Sequence, residues 1–446
     1  MKTDQTPIEK RGGWMRNSVM FKLLTILGLG LVLLIPAAMI QSIIEEREQM
    51  SAEAIQEVSA KWADAQQIKG PILTIPVTYE YEKDEKRETI IKYWHILPQE
   101  LGIIGHIDPE KLRRGIYEVV VYKSNADVSG SFSFDHKPDK NNIKQIHYSD
   151  AFLTIGISDL RGIKNSIALK WGGEKLKVSP GSRIPNLVQS GITVFLPDLT
   201  ERLAEAIPFD FQLSLQGSQN MSFVPLGSTT EVEITSGWTS PSFNGNFLPD
   251  SRTIRNDGFS ASWRILQLNR NFPESWMGAE QNNTLDAASF GVDLILPLDD
   301  YQKSMRSAKY AAMTIALTFL IFFLVEVLNK RRIHPFQYAL VGLALCLFYI
   351  LLVSISEHSN FNFAFGISTL GIVSMIALYS LSVFKKPKLV ALLTVILTGI
   401  YGFLFVTLQL EDYALLMGSA GLTLILGATM YFTRNIDWYK LNIDSE

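Results

Sequence analysis

The sequence predicts a multi-pass α-helical membrane protein with a large extracytoplasmic, mainly β (sandwich-like) domain inserted between helix 1 and helix 2. Three observations lead there. A run without charge lies between Lys22 and Glu45. Five further apolar runs fill the chain after residue 306, each near the ~20 residues that cross a hydrocarbon core. Between them lies a long polar stretch of short alternating segments broken by Gly, Pro, Asn and Asp. The mean hydropathy of +0.14 fits this division, because long apolar runs then need a water-soluble part of comparable size.

The elements follow in order. Residues 1–22 read as a cytoplasmic tail, with Lys2, Lys10, Arg11, Arg16 and Lys22 against Asp4 and Glu9. Residues 23–44 read as the first span. Its basic flank and the small Ala37 and Ala38 also suit a cleaved leader. The run continues past them through Met39, Ile40, Ile43 and Ile44, however, so an uncleaved anchor is expected, kinked at Pro36. The outer domain covers 45–305. It opens with a helix over 45–68 that places Ile55, Val58 and Trp62 on one face, stopped by Gly70-Pro71. Strand patterns such as YEVVVYKS, FQLSLQG and TEVEITSGW then dominate, with DLTERLAEAI (198–207) as the best internal helix. Many short strands with turn chemistry between them predict packed antiparallel sheets.

The remaining spans are 306–328, 338–355, 363–384, 389–408 and 413–432, with a tail at 433–446. The links give the orientation. Lys330, Arg331 and Arg332 lie in one, and Lys385, Lys386 and Lys388 in another, whereas SEHSNFN and QLED carry no Lys or Arg. With basic links inside, both termini are cytoplasmic and the β domain lies outside.

Chemistry is less legible. A net charge of −3 and the lack of basic, aromatic-rich blocks exclude a nucleic-acid partner. HExxH, CxxC, GxSxG and GxxxxGK motifs are all missing. The six histidines lack ligand spacing, and the single Cys346 leaves the outer domain without disulfides. No cofactor, metal site or catalytic residue is therefore expected. Asp108, Asp159, Asp257 and Asp293 are outer carboxylates that read either as solvated loop acids or as an acid–base pair. Glu326 ends an apolar run, which makes it a functional candidate; the competing reading is a snorkelling carboxylate paired with Lys330 four residues on. Glu357 and His358 form either a small polar site or a wet loop. The segment GWTSPSFNGNFLPD (237–250) offers Trp238, Pro241, Phe243 and Phe247 as a partner loop, unless its aromatics fold back into the sandwich.

Several stretches together resemble the CreD family of bacterial inner-membrane proteins. They are GPILTIPV after the anchor, ISDLRGI (157–163), GSQNMSFVPLG (217–227) and WTSPSFNGNFLP (238–249). The longest are YQKSMRSAKYAAMTIALTFLIFFLVE (301–326) and HPFQYALVGLALCLFYILLVSISEH (334–358). The resemblance implies an inner-membrane location and a role in cell envelope integrity or the response to envelope stress. It implies no catalytic residue. Tyr301, Arg306, Lys309, Tyr310, Glu326, His334, Glu357 and His358 fall inside the matching blocks and are candidate functional positions. Membrane lipids, and an envelope protein or cell-wall component met by the outer domain, are the expected partners. The alternatives are a transporter or lipid-handling protein built on the last five helices, and, third, a periplasmic hydrolase.

Overall fold

The computed structural model describes residues 19–83, 86–135, 138, 142–278, 280–296, 300–329, 333–410 and 413–434. The chain divides into two compact units. One comprises Met1–Ser51 with Leu298–Glu446, the other Ala52–Pro297.

One helix contributes to both. Helix α1 (Val19–Trp62) is continuous, with Pro36 inside it, and its apolar first part belongs to the first unit. It ends at Trp62, short of the predicted 68, and a strand runs straight through Gly70-Pro71. The reason is burial of Gln66. Its amide donates to the carbonyls of Gln216 (2.9 Å) and Asp159 (3.1 Å), residues 66–68 pair with Met221–Phe223, and Ile68 also pairs with Ile157. Gly70 marks a close approach instead of a stop. Its φ is +147°, and a Cβ there would sit 2.9 Å from the Thr154 carbonyl.

The second unit is β-rich. Its strands begin with β1 (Gln66–Lys83), β2 (Lys86–Ile96), β3 (Glu100–Arg114), β4 (Tyr117–Phe132), β5 (Ile143–Ile146) and β6 (Phe152–Ile157). Then come β7 (Ala168–Trp171), β8 (Glu174–Pro180), β9 (Gly191–Phe195), β10 (Ile207–Ser218), β11 (Asn220–Phe223) and β12 (Thr229–Ser236). β13 (Pro241–Gly245), β14 (Ser251–Arg255), β15 (Gly258–Leu266), β16 (Ser275–Met277) and β17 (Phe290–Leu294) complete the set. One sheet runs β7–β10–β4–β3–β12–β15–β14, antiparallel except at β3–β12. The other centres on the long β1. On one side it pairs with β5 and β6, and β6 leads to β9 and β8. On the other it pairs with β11 and β2, which lead to β17 and β13 and to β16. β8 also pairs with β7, which joins the two sheets.

Alternation along β10 (Ile207, Phe209, Phe211 and Leu213 in, Pro208, Asp210 and Gln212 out), and likewise along β12, gives such strands one apolar face. Those faces meet in a single core with Ile75, Val77 and Trp94. Trp171, Tyr122, Phe132, Phe152, Phe223 and Phe290 are fully buried in it, each ring worth roughly 1.5–3 kcal/mol of transfer free energy. The predicted helix at 198–207 is a series of turns. Asp198 Oδ1 accepts from the Thr200 amide and hydroxyl (2.9 and 2.6 Å), and Leu199 goes into the core, so the segment closes locally without propagating. A short helix, α2 (Asn282–Ala287), lies where no helix was expected.

The first unit is helical: α3 (Asp300–Lys309), α4 (Ala311–Leu328), α5 (Pro335–Ser356), α6 (Phe361–Phe384), α7 (Pro387–Gln409) and α8 (Ala414–Thr433). The predicted second span therefore begins with a break at Tyr310, whose carbonyl accepts from the Thr314 hydroxyl at 3.1 Å. Short links end cleanly. Lys385 adopts the left-handed conformation (φ +53°) after α6, and Pro387 opens α7. Aromatic rings fill the interior, with Phe348 against Tyr349, Phe365 and Tyr401 at 5.0, 5.3 and 4.6 Å between centroids. The outer surface is apolar as well, as at Leu370, Leu378 and Val395, which suits lipid better than water. Among the described residues, α1, α4, α5, α6 and α7 are long and apolar enough to cross a membrane; α8 is described as an apolar helix with the stretch Leu416–Tyr431.

Candidate functional site

The helical unit holds a buried ionic cluster built around Glu326, in the last turn of α4. Its side chain is 1% exposed. Oε1 accepts from the Ile333 backbone amide at 2.8 Å and Oε2 from the Tyr338 hydroxyl at 2.9 Å. Lys22 of α1 closes the cluster with an ion pair to Oε1. Phe319 and Phe322 stand edge-on to Tyr338 at 5.6 and 6.2 Å. In such surroundings a lone carboxylate is costly, and only a paired, hydrogen-bonded one is tolerated. The snorkelling reading is therefore corrected: Glu326 points inward because the α4–α5 turn supplies two donors and α1 a third. Lys330, the partner offered by the sequence, lies outside the described residues.

A second pair holds α1 beyond its apolar stretch. Arg47 Nε lies 3.4 Å from Glu357 Oε1, at the C-cap of α5. A carboxylate at a helix C-terminus opposes the helix dipole, so Arg47 offsets both charges. Lys22 and Arg47 are twenty-five residues apart, about 37 Å along a helix and comparable with a bilayer core of about 30 Å. Between them Leu33, Ala37, Ile40 and Ile44 are buried in the helical core. Gly342 provides the clearance, since a Cβ there would fall 2.1 Å from Leu33 Cδ1.

The other candidates separate. His334 caps α5: its ring accepts from the Phe336 amide at 3.2 Å, while the Gln337 side chain accepts from the His334 amide at 2.9 Å. His358 turns back to the Ser354 carbonyl at 3.2 Å and forms no joint site with Glu357. Tyr310 packs on the helical core, Lys309 is exposed and Arg306 half-buried. The side chain of Tyr301 lies outside the described residues. In the β unit, the partner loop folds inward. Trp238 is buried, its indole donating to the Ser240 and Ile295 carbonyls (3.1 and 3.0 Å). Phe243 stacks edge-on against Phe259 and Trp263, and Phe247 against Phe290. Pro241 opens β13, half-buried. These four side chains form no exposed aromatic surface.

Asp293 and Asp159, two of the carboxylates of the β unit, each have their own hydrogen-bond partners. Asp293 accepts from Asn220 (2.7 Å) and Asn244 (2.5 Å). Asp159 binds the Arg161 guanidinium through Nε and Nη2 (2.9 and 2.6 Å) and the Asp64 amide (2.9 Å). Arg161 also reaches the Ala60 carbonyl and Asp64 Oδ2 (3.0 Å), so the ISDLRGI stretch staples the end of α1. The Arg161 hydrogen bond holds the Asp159 carboxyl down at about 2. Burial lowers His95 to about 4, where its ring meets Thr74 at 3.0 Å. A shallow cavity of about 190 Å³ lies among Glu57, Val58, Lys61, Trp62, Leu112 and Arg114, with Glu57 already bound to Lys61 and Arg114. Among the described residues no His, Cys, Asp and Glu group of three or more is placed to hold a metal ion.

Lys22, Arg47 and Tyr338 were not singled out as Glu326 and Glu357 partners by sequence reasoning. The signal was present: Lys22 and Glu326 each border an apolar run, and the topology expected from the loop charges puts both borders on one side.

A large β-rich unit joined to apolar-surfaced helices defines a membrane protein with a substantial water-soluble domain. Residues 18–439 match the family model described as "Inner membrane protein CreD". The chain is 33% identical over 435 residues to the Inner membrane protein CreD of Escherichia coli (strain K12), covering 96% of each. It belongs to the CreD family, and its place is the inner membrane.

Proposed function

We propose that this chain is a multi-pass inner-membrane protein that supports envelope integrity by binding an envelope component, with its β domain outside the membrane between the first and second spans and both termini in the cytoplasm. One observation carries the anchoring part of this reading: α1 is tied by ionic contacts within each unit. Lys22 and Arg47 bind Glu326 and Glu357, and the Ala60 carbonyl and Glu57 bind Arg161 and Arg114. A helix anchored twice over suits a tether or relay. The basic links favour the orientation. Reporter fusions after Asn329, Ser359, Pro387 and Glu411 should read inside, outside, inside, outside; one reversed signal rejects the topology. Binding is tested by photo-crosslinking in intact cells from Leu248 and Ile254, exposed apolar positions of the β unit. A discrete crosslinked envelope partner is expected, and none from either position, at normal abundance, rejects it.

The transporter reading has one favourable observation, the inward-facing Glu326. It predicts that exchanging the charges of Lys22 and Glu326 abolishes function even when the pair re-forms.

A further inference from the structure

We infer that the α4–α5 turn forms a pre-built receptor for a basic side chain, and that Lys22 entering it clasps the anchor helix to the bundle. Its two neutral donors are supplied without α1. Glu326, the Ile333 amide and the Tyr338 hydroxyl all belong to one helical hairpin, α4 to α5, and both carboxylate oxygens accept from within it. Among the described residues, the hairpin's own contacts to the buried carboxylate are uncharged. Tyr338 and Ile333 are neutral donors; Lys22 brings the cation from a distant part of the chain and is itself 17% exposed.

The arrangement is polarised. Both bases, Lys22 and Arg47, are on α1, and both acids are on the α4–α5 hairpin or its end. The apolar contact between them is modest, since α1 leaves Leu27, Leu31, Val32, Ile35 and Met39 exposed. Apolar packing gains little where the competing solvent is lipid. The ion pairs therefore fix where and in which register α1 docks. The inference rests on reading α1 as the tether. It does not depend on the envelope partner, so failure to find a partner leaves it intact.

The test uses the full-length protein in membranes. Leu33→Cys and Gly342→Cys are combined in a Cys346→Ala background, because a Cβ at 342 would lie 3.4 Å from Leu33 Cγ, the position a thiol sulfur at residue 33 would take. Oxidation should link the pair efficiently. Adding Lys22→Met or Glu326→Gln should slow the link by roughly tenfold or more, as expected when one side of a buried pair is lost. Lys22→Arg should retain it, and the exchange Lys22→Glu with Glu326→Lys should restore it. If Glu326→Gln does not accumulate, recovery of membrane abundance by the exchange is the readout. Linking at parental rates in both single variants, or no recovery in the exchange, overturns the clasp.

Discussion

The two ends of α1 are fixed by the same kind of chemistry under opposite conditions. In the helical unit, Glu326 is 1% exposed and, among the described residues, its ionic partner is Lys22. In the β unit, the end of the helix is held by Arg161, 55% exposed, with Asp159, Asp64 and the Ala60 carbonyl sharing it. The contrast teaches what each contact contributes. Where solvent is apolar, losing one partner strands a charge and the penalty is large. Where water can replace a partner, several contacts divide the work and each matters little. The first arrangement gives specificity; the second gives tolerance.

The largest expected effect is therefore at Lys22 and Glu326, where removing either partner should cost about 3–5 kcal/mol. Next comes the packing between the two ionic ends. Gly342→Leu inserts side-chain atoms where even a Cβ falls 2.1 Å from Leu33 Cδ1, and overpacking of this kind costs about 1–3 kcal/mol. A lowered thermal midpoint of the purified protein checks it; an unchanged midpoint means Leu33 does not pack there. The smallest effect is at the staple. The folded Asp159 carboxyl lies at about 2, below its ordinary value of about 3.9. Its contribution is thus full above about pH 4 and is lost as the pH falls through about 2. Tryptophan fluorescence of the β unit should show Asp159→Asn losing that component of acid sensitivity, while matching slopes for both proteins would remove the staple from the account.

Legibility followed the range of the interaction. Alternation marked β10 and β12 because period two is a local property, and the apolar runs marked α5 to α7 for the same reason. The end of α1 was misread because a buried Gln66 and strands about 90 and 155 residues away outweigh the propensity of residues 63–68 for helix. The break at Tyr310 was invisible inside an unbroken helical pattern. Trp238 and Phe243 looked like a partner surface because composition does not say which way an aromatic points. Glu326 was legible as a candidate, but its partner was not: 304 residues separate it from Lys22, and the nearer Lys330 offered a local answer. Asp159 of the ISDLRGI stretch was legible as a carboxylate, but its staple to the end of α1 joins residues 95 apart.

The central claim is that Lys22 and Glu326 are energetically coupled across the anchor–bundle interface. A double-mutant cycle with Lys22→Met, Glu326→Gln and their combination, read as thermal midpoints of the full-length protein in one detergent, measures that coupling directly. The account predicts that the double variant is more stable than the sum of the singles implies, by about 1.5–3 kcal/mol of coupling. Additive single effects would contradict it.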